Sequence, residues 1–455
     1  MLRKILSLIV LISTVQAHAQ TKRPNIVFIL ADDLGYADIG AYGQQKIKTP
    51  HLNNLAHKGI KFTQFYTGTS VCAPSRSSLL TGQHTGHTYI RGNKEIQPEG
   101  QEPLADSVIT IAMQLQDAGY VTGAFGKWGL GMVGTSGDPN KKGFDEFFGY
   151  NCQRQAHTYY PDHLWNNQEK INLKGKNIYA AELIHEKTLA FIDDNKDKSF
   201  FLFVPTVLPH AELAAPKDSL YRMYENQFEE TPYKSTHYAN VDKPRAMYAA
   251  MVTRLDLHVG QIVQKLEELG IADNTIIMFA SDNGAHQEGG ADPHFFKSSG
   301  ELKGIKRSLY EGGIRTPFIA FWPTKIKENQ VTDSQAAFWD IMPTLLSLTE
   351  TKNTAYTDGI SIVPTLLTKG KQQKRDYLYW EFHEEGGRQA VRQGDWKLIV
   401  QKVKEPTQTY MELYNLKEDP SESENCAPQN PKKVEQLLQL IKEAHKESAL
   451  FPLTS

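Results

Sequence analysis

Continuous apolar runs of strand length alternate along most of this chain with amphipathic helical patterns, the arrangement expected of an α/β fold. Asn25-Ile26-Val27-Phe28-Ile29-Leu30-Ala31 is the first such run. Tyr120 to Phe125, Phe200 to Val204, Thr275 to Ala280 and Arg315 to Trp322 follow. An unbroken apolar run, rather than an alternating one, predicts a strand covered on both faces, as in a mostly parallel sheet flanked by helices. Between the runs, the spacing predicts helices over Ser107 to Ala118, Tyr179 to Ile192 and Ala246 to Leu269. The first is expected to be capped by Asp106 or Ser107 and stopped at Gly119; the last should end at Gly270. The pattern breaks into short polar residues from Thr349 to Asp358. Beyond that, Tyr377 to Phe382, Gln389 to Arg392, Trp396 to Val400 and Met411 to Tyr414 predict a small antiparallel sheet, with one helix from about Lys432 to Lys446. The expected organisation is a segment 1–19, a large α/β unit over 20–350 and a smaller C-terminal unit over 351–455.

The polar residues that follow the apolar runs change the picture. The first run ends in Asp32-Asp33, the second in Gly126-Lys127-Trp128-Gly129, the third leads to Pro209-His210, and the fourth ends in Ser281-Asp282-Asn283-Gly284. In an open parallel sheet the carboxyl ends of the strands lie along one edge, where ligand crevices form. Each position also has a plainer reading: a cap, a turn, a surface charge or a histidine satisfied in a loop. Together, three carboxylates and one amide oxygen form a hard-oxygen set suited to Ca²⁺ or Mg²⁺, and the sparse His and Cys do not fall at zinc spacings. With Arg76, Lys127 and Lys306 nearby, such an ion makes a cationic pocket that suits an oxyanion ester.

Cys72-Ala73-Pro74-Ser75-Arg76, followed by Ser77-Ser78-Leu79-Leu80-Thr81-Gly82, is either a buried structural cysteine in a polar turn or a reactive position with neighbours that recognise it. Cys152 and Cys426 are the only other cysteines; if Cys72 is chemically consumed, those two are free to pair. Arg3 and Lys4, the apolar stretch Ile5 to Val15 and the small residues of Ala17-His18-Ala19 before Gln20 predict a secretory signal, hence an exported, periplasmic or secreted protein. No later stretch is long and apolar enough for a membrane helix. A formal net charge of -2 argues against a general nucleic-acid binder, because phosphate affinity needs a concentrated basic surface.

These motifs, with Tyr310-Glu311-Gly312-Gly313-Ile314-Arg315, resemble the type I sulfatases, the formylglycine-dependent members of the alkaline phosphatase superfamily. The resemblance runs from about Pro24 to the C-terminal sheet and implies an alkaline-phosphatase-like sheet. It implies that a sulfatase-maturating enzyme oxidises Cys72 to formylglycine, whose hydrate supplies the nucleophile. One hydroxyl attacks sulfur and expels the alcohol; the second then loses its proton and expels sulfate as the aldehyde reforms. By the same resemblance Asp32, Asp33, Asp282 and Asn283, with the modified Cys72, hold one cation, calcium rather than magnesium. Arg76 and Lys127 hold the hydrate, Lys306 touches the sulfate, and His210 protonates the leaving oxygen, a role suited to imidazole. Two positions depart from the family pattern. Gly129 stands where histidine usually follows Gly-Lys-Trp, and His157 is the expected substitute; Gln83 stands where arginine commonly follows Leu-Thr-Gly.

Gly143 to Tyr150, Gln153 to Pro161 and Trp380-Glu381-Phe382-His383 are similar to exported bacterial sulfatases that act on glycans. The resemblance implies a sulfated galactose or N-acetylgalactosamine, cleaved at the 4-O or the 6-O position. His286, Glu288, His383 and Arg388 are candidate sugar contacts, since hydroxyl recognition needs polar side chains at a pocket mouth; solvated loop residues are the equal alternative. Two other functions stay open at this point: a phosphoryl or phosphonate ester hydrolase of the same superfamily, and a non-catalytic protein that binds sulfated glycans.

Overall fold

The computed structural model describes residues 23–453, so the expected targeting segment lies outside the described residues. Its centre is an 11-stranded sheet. The strands are β1 (Asn25–Ala31), β2 (Ile60–Tyr66), β3 (Val121–Lys127), β4 (Glu146–Tyr150), β5 (His163–Asn166), β6 (Glu169–Asn172), β7 (Phe200–Pro205), β8 (Thr275–Ser281), β9 (Arg315–Phe321), β10 (Gln330–Thr332) and β11 (Ala336–Ala337). They lie in the order β10-β2-β9-β8-β1-β7-β3-β4-β5-β6, with β11 beside β2. The central strands β8, β1, β7, β3 and β4 are all parallel, while β9 runs antiparallel to both β8 and β2.

Alternation along β1 explains why its sequence is apolar throughout. Val27 and Ile29 enter the core beneath the helices Ala180–Asp194 and Pro244–Glu268. Ile26, Phe28 and Leu30 enter the opposite core, against the helices Ile111–Asp117 and Ile341–Leu348. Each such fully buried side chain contributes about 1.5–3 kcal/mol. The expected helix over Ser107 to Ala118 starts later, at Ile111. Thr110 is its cap, with Oγ1 accepting the Met113 N–H, so neither Asp106 nor Ser107 serves.

The four C-terminal strands β12 (Leu378–Phe382), β13 (Arg388–Gln393), β14 (Trp396–Gln401) and β15 (Tyr410–Asn415) form the expected antiparallel sheet. One face, with Trp380 and Ile399, packs on Tyr66 and Trp339 of the larger unit; the other is covered by the helix Pro431–Ala444 through Leu437 and Ile441. Buried charges fasten the first contact. Lys397 reaches Glu311 and Glu422 at 2.9 Å each, Glu311 also accepts from the Tyr66 hydroxyl at 2.7 Å, and Glu422 accepts the Glu311 N–H at 2.6 Å. Cys152 and Cys426 do not pair; both thiols are free, with Cys152 buried against the Gly100 carbonyl and Cys426 beside Leu413. Among the described residues no helix is long and apolar enough to cross a membrane.

The clamp makes a direct prediction. Removing the one ammonium between two buried carboxylates, as in Lys397→Met, leaves uncompensated charge and is expected to cost about 3–5 kcal/mol, read as a lower midpoint in denaturant unfolding.

Candidate active site

Because β8, β1, β7 and β3 are parallel neighbours, their carboxyl ends deliver Asp282 and Asn283, Asp32 and Asp33, His210 and Lys127 to one buried place. Cys72 arrives from another direction, as the first residue of the helix Cys72–Thr81, and its Sγ lies 3.6 Å from Asp32, 3.8 Å from Asp33 and 3.5 Å from Lys127 Nζ. The rest of its motif ties that helix end down. Pro74 is tolerated in a first turn, where its missing N–H has no helical partner. Ser75 donates to the Asp282 carbonyl and accepts from Gly68. Arg76, 1% exposed, gives Nε and Nη2 to Asp282 Oδ2 at 3.0 and 2.9 Å, and Nη1 to the Lys127 carbonyl. One arginine thereby joins the ends of β8 and β3.

Asp33 occupies the left-handed region, φ 63°, which a residue with a Cβ enters at a cost of about 1–2 kcal/mol. Its N–H bonded to Asp282 Oδ1 at 3.0 Å, with the Leu34 N–H on Ser281 Oγ, holds it there. The turn aims the carboxylate at Lys306 Nζ (2.7 Å), His210 Nε2 (3.1 Å) and Asn283 Nδ2 (2.6 Å). Lys306 reaches this point on a loop rather than a strand end. A Cβ on Gly284 would lie 2.0 Å from the Gly312 carbonyl, and one on Gly312 would lie 2.2 Å from that of Gly304; only glycines let these backbones approach so closely. The Lys306 N–H on the Ala285 carbonyl completes the seam.

Three carboxylates thus meet three cations in a site closed to water. Burial alone would raise Asp32, but Lys127, His210 and Arg76 overcome it and hold its carboxyl far below the usual range; Lys306 and His210 do the same for Asp33. Asp282 goes the other way: burial, then the charge of Asp32, pushes it up to about 7 despite Arg76. Burial also pushes the Cys72 thiol up, and it keeps His210 neutral well below its ordinary range. His210 Nδ1 faces the Ala211 carbonyl, so Nε2 is the atom presented to the site, 3.2 Å from Lys306 Nζ. The donor set fits a hard divalent cation. Asn283 Oδ1 is buried with no partner, and carboxylate oxygens of Asp32 and Asp33 lie within 4.8 Å of each other, of Cys72 Sγ and of a His210 nitrogen.

A second cluster, His84, His87 and Asp358, does not share this character. His84 Nδ1 accepts the Gly86 N–H, which leaves its proton on Nε2 facing Asp358, so the trio is a hydrogen-bonded brace.

The expected sugar contacts divide. Glu288 lies at the mouth, its Oε2 3.2 Å from Lys306 and its Oε1 2.5 Å from Arg307, and these cations hold it down to about 2 against the effect of burial. His286 is buried and commits both ring nitrogens to protein, to the Pro209 carbonyl and the Glu288 N–H, so it supports Glu288 from behind and no nitrogen is left for a sugar. His383 bonds Glu381, and Arg388 is engaged by Gln401, Glu385 and the Arg307 carbonyl; both brace the wall from the second sheet. Arg307, which sequence reasoning passed over although it follows Lys306 directly, is the outermost cation of the group.

At Gly129, φ +79°, the space a side chain would enter is taken by Gln153, whose Nε2 would lie 2.8 Å from a Cβ there. His157 lies elsewhere, stacked on His210 with ring centroids 4.7 Å apart, and burial, then Lys127 and Lys306, lower it to about 4.

Comparison with known proteins bears on this geometry. The family model described as Sulfatase matches residues 24–351. The chain belongs to the sulfatase family. A second model, described as the C-terminal part of N-sulphoglucosamine sulphohydrolase, matches residues 304–448 of this sulfatase. The N-acetylgalactosamine-6-O-sulfatase of Bacteroides thetaiotaomicron is 29% identical over 92% of this chain and 93% of its own. The human N-acetylgalactosamine-6-sulfatase is 30% identical over 80% of this chain and 69% of its own. Among solved structures, Ps i-CgsB superposes with a TM-score of 0.78 at 28% identity, covering 93% of this chain and 92% of that one. The protein is therefore a sulfuric ester hydrolase with an alkaline-phosphatase-like fold. A phosphonate monoester hydrolase of Agrobacterium radiobacter, at 17% identity and a TM-score of 0.69, shares the fold alone.

The stacking assigns His157 a positioning task, to hold the imidazole of His210 in plane. His157→Ala is expected to lower kcat about tenfold while KM and the thermal midpoint stay close to wild type; unchanged kcat would remove His157 from the reaction.

Proposed function

We propose that this sulfatase removes sulfate, at the 6-O position, from galactose or N-acetylgalactosamine units of glycans, after export. The observation that carries the reading is Cys72 at a buried helix start, within 3.8 Å of two carboxylates and a lysine. That setting suits a side chain that becomes an oxygen nucleophile once a maturating enzyme has converted the thiol to formylglycine. The names of the relatives from Bacteroides thetaiotaomicron and human support the sugar and the position.

In this reading Asp32, Asp33, Asp282 and Asn283, with the modified Cys72, hold a calcium ion. The ion, when bound, lowers the cost of negative charge on the nucleophile and on the sulfate oxygens. The chain's own residues do the rest. Arg76 keeps the helix start and the ends of β3 and β8 in fixed relation, so the nucleophile approaches sulfur from one direction. Lys127 donates to one hydroxyl of the hydrate and Lys306 to a sulfate oxygen. The negative charge of the bound ester favours the imidazolium form of His210, and as the S–O bond to the sugar breaks the leaving oxygen takes the proton from its Nε2, beside Lys306 at 3.2 Å. The remaining hydroxyl of the hydrate then gives up its proton to His210 Nε2, left neutral by the first step, the C–O bond to sulfate breaks, sulfate departs and the aldehyde returns. Water restores the hydrate. The charge count suits an anionic ester: three carboxylates against Arg76, Lys127 and Lys306 balance without an ion, and a divalent cation makes the pocket net positive.

Release of sulfate from N-acetylgalactosamine 6-sulfate and its 4-sulfate, and of phosphate from the matched 6-phosphate ester, tests the reading. The 6-sulfate is expected to be turned over at least tenfold faster than either of the others. Faster cleavage of the phosphate, or no release by protein whose Cys72 is an aldehyde, would contradict it.

A further inference from the structure

Residues 233–241 form a flap over the mouth of the site. Tyr233 and Val241 exchange backbone hydrogen bonds of 2.8 and 3.1 Å, and inside the loop Asn240 Oδ1 accepts the Ser235 N–H while Ser235 Oγ accepts the His237 N–H. This internal bonding gives the tip a defined shape. At the tip, Tyr238 lies with its ring centroid 5.8 Å from that of His157, and its hydroxyl is 3.5 Å from Glu288 Oε2. His157 in turn stacks on His210 at 4.7 Å. Three rings therefore lead outward from the proton-donating imidazole; the outermost is half-buried and meets the ring of His237 edge-on, centroids 4.6 Å apart.

The chemistry of the site fixes where a sugar must lie. The sulfate belongs at the deep end, among Lys127, Lys306 and His210, so the pyranose carrying it extends outward past Glu288. There it meets an ionised carboxylate, which accepts hydrogen bonds from hydroxyl groups, and the face of an aromatic ring, which accepts C–H groups. A galacto-configured pyranose matches this pair. Its axial oxygen on carbon 4 leaves the hydrogens of carbons 3, 4 and 5 together on one face as an apolar patch, while the hydroxyls project from the edge. In a gluco-configured ring the carbon 4 hydrogen lies on the opposite face and the patch is broken.

We infer that Tyr238 is the stacking platform for the sulfated sugar ring and, with Glu288, the source of a preference for galacto- over gluco-configured sulfates. The inference rests on the glycan reading above and adds the residue that selects the sugar. None of the four strand ends carries it, and the reaction at sulfur does not use it.

The test measures kcat/KM for galactose 6-sulfate and glucose 6-sulfate in wild type, Tyr238→Ala and Tyr238→Phe. It also measures binding of the same two sugars by calorimetry with each Tyr238 residue in full-length Cys72→Ala protein. Wild type is expected to prefer the galacto sugar. Tyr238→Ala is expected to shrink that preference about tenfold in both measurements, the size of one lost ring contact, and Tyr238→Phe to retain it. A preference that persists in Tyr238→Ala, an equal loss for both sugars, or no preference in wild type would overturn the inference. The binding arm separates the two levels: absence of sulfate release by matured protein, with a Tyr238-dependent binding preference intact, would sink the proposed reaction and leave the platform standing.

Discussion

Every part of this fold that bears on chemistry answers to one constraint: three carboxylates are held together out of water at the carboxyl edge of a parallel sheet. Carboxylates at such separations repel and lose their hydration, and the structure offsets this with Arg76, Lys127 and Lys306, each within about hydrogen-bonding distance of one of them. The compensation is uneven. Asp32 and Asp33 are driven strongly toward ionisation, whereas Asp282, facing both of them, is pushed up to about 7. A site in that condition favours a divalent cation and, once it has one, an anionic substrate. The same excess of local charge that makes the arrangement costly as architecture makes it useful as a catalyst of ester cleavage.

The surrounding structure reads as the means of keeping those groups in place. Ser75 and Arg76 lash the helix that begins at Cys72 to β8 and β3; the close backbone approach at Gly284 and Gly312 brings in the Lys306 loop; Asp33 accepts an unfavourable backbone conformation to aim its carboxylate. The second sheet takes part through Glu311, which opens the short helix Glu311–Ile314 after the Lys306 loop and is gripped by Lys397 and Tyr66. That sheet and the site are mechanically one unit, which accounts for Arg388 and His383 serving as braces.

Much of this was legible in the sequence for a definite reason. Parallel strands buried on both faces must be apolar throughout, so β1, β7 and β8 stand out as runs, and whatever polar residue follows each run must lie on the shared edge. Asp32, Asp33, Lys127, His210, Asp282 and Asn283 were readable on that ground. Other features leave no such trace. The helix Cys72–Thr81 is buried on every side and so has no amphipathic period. Lys306 arrives by loop packing, with no apolar run leading to it. Thr110 captured the helix start from Ser107 through a local hydrogen bond that composition does not reveal. His286 is a polar residue in the right neighbourhood whose two nitrogens are both committed to protein, and His383 turns its Nε2 onto Glu381, distinctions only side-chain directions can make. Tyr238 and Arg307 lie at the mouth by virtue of a flap and a strained loop, and neither has a sequence periodicity that points there.

The account depends on the buried carboxylates acting together as a cation site, and removal of the ion from matured protein tests that most directly. Sulfate release followed after exhaustive chelation is predicted to fall to background and to return on addition of calcium. A rate undiminished by the chelator, in protein shown to be free of bound metal, would contradict it.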